Sequence, residues 1–187
     1  NNSKVFTVLT AGKLLKIKSF DLAIKAFANF AKEKYNTELI IAGDGPELKK
    51  LEGLSKKLQV LNKVKFEKWM PRERLLEEMT GCDVFLFCSL RDGGGQVVVE
   101  AMASGKPVIC FDIAGPGFHI DESCGIKIKA ENFEQSVKGF SDALEKLYND
   151  KNLKLSMGDA AKKKAKEEYS WDKLGEKLQK IYQEKTK

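Results

Sequence analysis

The chain has 187 residues, of which 42% are hydrophobic, so it can bury the core of one domain. No segment approaches the roughly 18 apolar residues of a membrane span, and residues 1–12 lack the layout of a secretory signal. The formal charge of +6 favours an anionic partner, whether a nucleotide, a nucleic acid or an acidic membrane surface.

Strands and helices alternate along the predicted secondary structure. The first strand spans residues 5–10, and a helix with a wide apolar stripe follows at 20–31. Further strands are predicted at 39–42, 64–66, 84–88, 108–111 and 125–128, and further helices at 47–58, 71–80, 98–104, 133–148, 153–169 and 171–182. This alternation predicts a Rossmann-like, doubly wound parallel sheet with helices on both faces and a helical C-terminus.

The four cysteines have no C-x-x-C spacing, and the lone His119 offers little for a metal site. We expect reduced cysteines that fill the core of a cytoplasmic protein.

Ligands of such sheets bind beyond the carboxyl ends of the strands, which makes residues 89–96 the most informative loop. Gly93, Gly94 and Gly95 follow the strand at 84–88 and precede a helix, so main-chain N–H groups and a helix start converge there. This combination favours an anion. One or two glycines would satisfy a turn with positive φ, whereas the third favours close approach of a phosphate or sugar to the main chain.

Charged residues near this loop complete the predicted site. Lys13 and Lys18, after the first strand, could neutralise a diphosphate. Asp92 and Glu100 flank the glycines eight residues apart, and carboxylates accept hydrogen bonds from sugar hydroxyls. Glu100 would bind the ribose and Asp92 a second sugar. The apolar neighbours of Glu100 also predict a polar partner for its carboxylate.

Two other phosphate motifs are excluded. The segment beginning at Gly43 has Leu48 where the dinucleotide fingerprint requires its third glycine, and Lys63 stands where an acid should bind ribose. No P-loop pattern occurs. Nicotinamide binding and P-loop chemistry are therefore not expected.

Three motifs in order resemble one family. Asp92 and Glu100 are followed by the run A-M-A-S-G-K-P-V-I, and G-K-L-L-K-I-K-S begins at Gly12, with G-D-G-P at Gly43. The chain resembles the C-terminal, donor-binding domain of the retaining group 1 (family 4) glycosyltransferases, which have the GT-B fold. The chain departs from the usual family pattern at several positions. Asp92 replaces the usual Glu, Gly94 replaces an aromatic residue and Lys13 replaces Arg. Ser19 and Lys68 each replace a glycine.

The resemblance implies transfer of a sugar from a nucleoside diphosphate sugar with retention of configuration. Asp92, Lys13 and Lys18 would then be the catalytic residues, and the lysines and glycine amides would stabilise the leaving diphosphate. Neither a metal nor a cofactor beyond the donor sugar nucleotide is expected. The substrate-binding residues would be Gly12, Gly93, Gly94, Gly95, Gln96, Val97 and Glu100, with Trp69 and Met70 beside the base.

The resemblance also implies partners. Residues 1–187 would be one domain that requires an N-terminal acceptor domain, so we expect the isolated chain to be inactive. The acceptor would be a glycan or lipid-linked glycan of bacterial polysaccharide or glycoconjugate synthesis. The full-length enzyme would be cytoplasmic, with peripheral contact to the inner face of the membrane left open.

Two alternatives remain open. A sugar-nucleotide epimerase of the same fold would need more acid–base residues than His119 alone. A nucleic-acid-binding module is suggested by the lysines at 162–166, but no basic strip interleaves with stacking aromatics, so no nucleic-acid partner is expected.

Overall fold

The computed structural model describes residues 5–185 and contains one six-stranded sheet. The strand order is β3-β2-β1-β4-β5-β6, and every neighbouring pair is parallel, which confirms the predicted Rossmann-like class. The winding direction reverses between β1 and β4, and ligands of such folds bind near that reversal, beyond the carboxyl ends of the strands. The strands are Phe6–Ala11 (β1), Thr37–Ala42 (β2), Val64–Glu67 (β3), Val84–Phe87 (β4), Val108–Phe111 (β5) and Gly125–Ile128 (β6).

Helices cover both faces of the sheet. On β4, Val84 and Leu86 belong to one hydrophobic cluster, while Phe85 and Phe87 belong to the other. Because both faces are buried, the central strands are continuous apolar runs rather than alternating ones. The helices are Phe20–Phe30 (α1), Leu48–Lys57 (α2), Arg72–Gly81 (α3), Gln96–Ala103 (α4), Ala114–His119 (α5), Phe133–Asn149 (α6), Lys151–Tyr169 (α7) and Trp171–Lys185 (α8).

Helix α5 was not predicted, nor were two short 3-10 helices at Lys16–Lys18 and Leu61–Lys63. The sequence of α5, A-G-P-G-F-H, has no apolar periodicity, and its glycines and proline are poor helix formers. Tertiary contacts select it instead. A Cβ on Gly115 would lie 2.7 Å from the carbonyl oxygen of Gly93, so only glycine lets α5 approach the loop after β4.

Other expectations can be compared with the described residues. All four cysteines are buried and free, as predicted. Within residues 5–185, no helix combines the length and the apolar composition needed to cross a bilayer.

Candidate functional site

A cavity of about 510 Å³ lies at the carboxyl ends of β1 and β2. The first turn and a half of α4 and the segment between β3 and α3 border it. Its position agrees with the edge of the sheet at which ligands of doubly wound folds bind. The residues that line it are Ala11, Gly12, Lys13, Ala42, Gly43, Asp44, Trp69, Met70, Leu75, Val97 and Glu100.

Close backbone packing holds the loop that carries Lys13. The N–H of Gly12 donates to the carbonyl of Ala42, and the N–H of Leu14 donates to that of Asp44, each at 2.9 Å. A Cβ on Gly43 would lie 2.0 Å from the carbonyl oxygen of Gly12. Gly43, which directly follows β2, is therefore required by the close approach of the neighbouring loop. This packing accounts for the glycine of the G-D-G-P run without a bound phosphate.

Lys13 projects from this loop beside the cavity and is exposed. No carboxylate among the described residues forms a salt bridge with it, so its charge is available to an anion. Lys18 is differently placed. Its Nζ lies 2.6 Å from Oδ2 of Asp92 and 5.8 Å from the ring centroid of Phe87, so it is already paired with an acid.

Asp92 is held at both carboxylate oxygens. Oδ2 accepts from Lys18, and Oδ1 accepts from the N–H of Gly95 at 2.7 Å. Burial raises the pKa of this carboxyl, but the hydrogen bonds from Lys18 and Gly95 outweigh burial, and the net pKa is below its ordinary value. Asp92 is therefore an ionised, oriented acceptor at neutral pH.

The three glycines occupy different environments. Gly95 is buried, precedes α4 in the left-handed region at φ +55°, and a Cβ there would lie 3.1 Å from Cδ2 of His119 and 3.2 Å from Pro116. Gly93 and Gly94 are exposed, and a Cβ on either would meet no described atom within 4 Å. The turn accounts for Gly95 alone. The open space beside the other two is where a ligand could approach the main chain.

The Gly95 N–H also corrects one detail of the predicted anion site. It donates to Asp92 and is therefore not free to donate to a phosphate. Any phosphate at the start of α4 would depend on the neighbouring amides, with exposed Gln96 as the first helical residue.

Glu100 has the polar partner that its apolar surroundings predicted. Nε of Arg72 lies 2.9 Å from Oε1 of Glu100, whose side chain is 19% exposed, whereas Arg72 is 68% exposed. Arg72 was not predicted as a site residue. Its contact joins the start of α3 to the second turn of α4, so the carboxylate is oriented at the cavity wall.

The segment expected to border a base contains one exposed and one buried side chain. Trp69 is 77% exposed, whereas Met70 is buried in the core, and both line the cavity. Val97, from the first turn of α4, is half-buried and lines the same cavity. These residues form the apolar part of its wall.

His119, the last residue of α5, contacts the glycine loop, which the sequence did not predict. Its Nε2 lies 2.9 Å from the carbonyl oxygen of Gly94, and its Nδ1 lies 2.9 Å from the hydroxyl of Tyr169. The signal that could have identified it is its position after β5, at the same edge of the sheet as the glycines.

The structure thus brings all twelve predicted site residues to one edge of the sheet, in two adjoining groups. The cavity is lined by Gly12, Lys13, Trp69, Met70, Val97 and Glu100. The adjoining loop region contains Lys18, Asp92, Gly93, Gly94, Gly95 and Gln96. No cluster of three or more His, Cys, Asp or Glu side chains that could hold a metal ion occurs in the part of the chain that the structure describes.

Comparisons with known proteins identify the family and the fold. The model of the family "Glycosyl transferases group 1" matches residues 1–164. An uncharacterised glycosyltransferase of Methanocaldococcus jannaschii is 29% identical over 176 residues, which are 94% of this chain and 44% of that protein. This chain therefore spans less than half of that relative.

Two solved structures have the same fold. The pneumococcal O-GlcNAc transferase GtfA, in complex with UDP and GlcNAc, superposes with a TM-score of 0.85 at 25% identity, over 97% of this chain and 36% of that one. Anabaena HepE, in complex with UDP, superposes with a TM-score of 0.86 at 20% identity, over 97% and 49%. The fold is therefore that of GT-B glycosyltransferases, and the chain belongs to the group 1 glycosyl transferases.

Proposed function

We propose that this domain binds a nucleoside diphosphate sugar and supplies the donor half of a retaining glycosyltransferase. The observation that carries the proposal is the cavity at the carboxyl ends of β1 and β2, which has the unpaired Lys13 and the oriented Glu100 on its wall. Asp92 and the open main chain of Gly93 and Gly94 adjoin it. The presence of UDP in the GtfA complex supports the same ligand class.

The order of these groups matches the order of parts in the ligand. The base would lie against Trp69 and Met70, and the ribose hydroxyls would donate to Glu100. The diphosphate would lie between Lys13 and the start of α4, where a cation and helix amides both favour negative charge. The transferred sugar would extend towards Asp92.

In the transfer step, the bond between the anomeric carbon and the diphosphate oxygen would break, with the electron pair leaving on the diphosphate. The acceptor oxygen would bond to the anomeric carbon on the same face, and its proton would pass to the leaving diphosphate. Negative charge develops on the leaving diphosphate. Lys13 and the amides near Gly94 would stabilise that charge, which is preorganised electrostatic catalysis. Lys18 would act through Asp92, because its ammonium group already pairs with that carboxylate.

The acceptor site would be supplied by a second domain. The chain spans 42–46% of the first curated relatives that it matches, which leaves room in those proteins for a further domain. Helix α8 has exposed apolar side chains, with Trp171 at 86%, Leu178 at 54% and Ile181 at 55%. We propose that this stripe packs against the acceptor domain, since large exposed apolar patches mark interfaces.

The wider setting follows as part of the same proposal. The acceptor would be a glycan or a lipid-linked glycan of bacterial polysaccharide or glycoconjugate synthesis. The full-length enzyme would act in the cytoplasm, with peripheral contact at the membrane where a lipid-linked acceptor requires it.

Calorimetric titration with UDP, GDP and 2′,3′-dideoxy-UDP tests the proposal. Glu100→Gln should weaken binding of the ribonucleotide by about 1.5–3 kcal/mol, the range for hydrogen bonds to a charged group. The dideoxy ligand should bind both proteins equally, because it lacks the hydroxyls that donate to Glu100. Failure of the wild-type domain to bind any nucleoside diphosphate would overturn the proposed function.

A second test concerns transfer itself. The 187-residue chain should bind the nucleotide but transfer no sugar to any acceptor, because the acceptor side of the cleft would be supplied by a second domain. Robust transfer by this chain alone, measured as release of UDP from UDP-glucose in the presence of acceptor sugars, would contradict the two-domain proposal.

A further inference from the structure

A series of hydrogen bonds leads from α7 to the carboxylate of Asp92. The hydroxyl of Tyr169, the last residue of α7, lies 2.9 Å from Nδ1 of His119. Nε2 of His119 lies 2.9 Å from the carbonyl oxygen of Gly94. The same peptide unit continues at Gly95, whose N–H donates to Oδ1 of Asp92 at 2.7 Å.

The direction of these bonds follows from the groups involved. A carbonyl oxygen only accepts, so Nε2 of His119 must carry the proton. In the neutral ring, Nδ1 then accepts from the hydroxyl of Tyr169. Burial raises the pKa of Tyr169, so its hydroxyl keeps its proton at neutral pH. Every donor in the series therefore faces the same way, and bonds aligned in this manner polarise and strengthen one another.

The peptide between Gly94 and Gly95 is the central part of the series. A peptide is planar, so fixing its carbonyl on one side also fixes the direction of its N–H on the other. Two further contacts hold the same loop against α5, since the Gly115 N–H donates to the Asp92 carbonyl at 3.2 Å and Gly95 faces the ring of His119.

We propose that His119 is a positioning residue for donor-sugar recognition: it fixes the Gly94–Gly95 peptide and thereby orients the Asp92 carboxylate. The assignment rests on the proposed function for the role of Asp92, but the geometry of the series does not. It also links the sugar end of the site to the junction between α7 and α8, because Tyr169 and Trp171 are separated only by Ser170. A change in the arrangement of α7 and α8 would consequently alter binding of the donor sugar and not binding of the nucleoside.

Nuclear magnetic resonance of the ligand-free domain tests the geometry. His119 is the only histidine, so its ring nitrogens can be assigned without ambiguity, and we expect the tautomer with the proton on Nε2. His119→Phe keeps a ring in place but removes both bonds, and Tyr169→Phe removes only the outer hydroxyl. Both variants should shift the Gly95 amide resonance and speed its hydrogen exchange, the first more than the second. An unchanged Gly95 amide in a folded His119→Phe protein would overturn the proposal.

Calorimetry with UDP and UDP-glucose tests the consequence. His119→Phe should lose roughly five- to tenfold in affinity for UDP-glucose and less than twofold for UDP, since one oriented hydrogen bond is at stake. His119→Gln, which retains an N–H donor, should recover part of the loss. Tyr35→Phe is the matched control for Tyr169→Phe, because Tyr35 is 95% exposed and precedes β2, at the opposite edge of the sheet.

The outcomes distinguish the positioning role of His119 from the proposed function of the domain. Equal losses for UDP and UDP-glucose, together with a lowered melting temperature, would show that His119 serves only the fold. A wild-type domain that binds neither of these ligands nor GDP would reject the proposed function, while the Gly95 amide would still decide whether His119 positions Asp92. A wild type that binds UDP-glucose no better than UDP would contradict the role in sugar recognition.

Discussion

Two aspartates at opposite edges of the sheet make similar bonds in different surroundings. Asp92, at the carboxyl edge, pairs with Lys18 at 2.6 Å and accepts from the Gly95 N–H. Asp83, before β4 at the amino edge, pairs with Lys154 at 2.5 Å and accepts from the Thr7 N–H at 3.0 Å. Each pair joins distant segments, 74 residues apart in the first case and 71 in the second.

The difference lies in what surrounds each pair. The side chains of Asp83 and Lys154 are 11% and 16% exposed, and Nζ of Lys154 lies 4.9 Å from the ring centroid of Phe6. Asp92 instead lies beside exposed glycines, with no described atom within 4 Å of their Cβ positions. The Asp83 pair is thus more deeply packed than the Lys18–Asp92 pair, whose side chains are 22% and 21% exposed.

A second cavity, of about 480 Å³, borders Asp83 at the amino edge. Its volume is close to that of the candidate site, so volume alone does not distinguish the two. Their positions do, because ligands of doubly wound folds bind beyond the carboxyl ends of the strands, where only the candidate site lies.

The largest expected effect is on stability. Asp83→Ala should lower the free energy of unfolding by about 3 kcal/mol, because it leaves the Lys154 ammonium and the Thr7 N–H without their partner. Urea unfolding at pH 7 measures the change, with Asp92→Ala as the matched variant. A larger loss of unfolding free energy for Asp92→Ala than for Asp83→Ala would show that the Asp92 pair, and not the Asp83 pair, contributes more to stability.

The next effect is on ligand binding. Asp92→Asn should weaken binding of UDP-glucose by about 2 kcal/mol. The amide donates as well as accepts hydrogen bonds, and it has no charge with which to pair the Lys18 ammonium group. Binding of UDP should change little, and calorimetry on both ligands checks this. If Asp83→Asn weakened UDP-glucose as strongly, the site would not be confined to the carboxyl edge.

Substitutions of Gly95 and Gly94 should change stability by smaller and unequal amounts. Gly95→Ala should cost about 1–2 kcal/mol of stability, since φ of +55° is unfavourable for any residue with a Cβ and His119 and Pro116 crowd the position. Gly94→Ala should leave the melting temperature nearly unchanged and weaken the sugar-bearing ligand. Equal melting temperatures for the two variants would show that the left-handed turn is not what selects Gly95.

The smallest effect concerns pH. The pKa of Asp92 is lowered in the folded state, so its contribution to stability is complete above its unfolded pKa of about 3.9 and is lost as pH falls through the folded value. The difference in unfolding free energy between wild type and Asp92→Asn, less than about 1 kcal/mol for such a partly exposed pair, should be constant from pH 7 to 5 and smaller at pH 3. A difference that grew on acidification would contradict this sign.

Much of the candidate site could be predicted from the sequence. The buried strand at Val84–Phe87, the glycines after it and Glu100 eight residues beyond Asp92 are local patterns, and local patterns determine which side chains face the same edge of a parallel sheet. The buried, free cysteines followed in the same way from composition. The site roles themselves stay predictions that the binding experiments will decide.

The amino-acid sequence by itself determined the parallel architecture and the edge at which the charged residues gather, because periodicity and glycine placement act over a few residues. Only the tertiary structure decided the partners. Arg72 reaches Glu100 across 28 residues and His119 reaches the Gly94 carbonyl across 25, the latter through α5, a helix with no periodicity of its own. Such contacts arise from the packing of whole elements, in which a glycine admits a neighbouring backbone and a hydrogen bond selects its partner, and no local pattern encodes that choice.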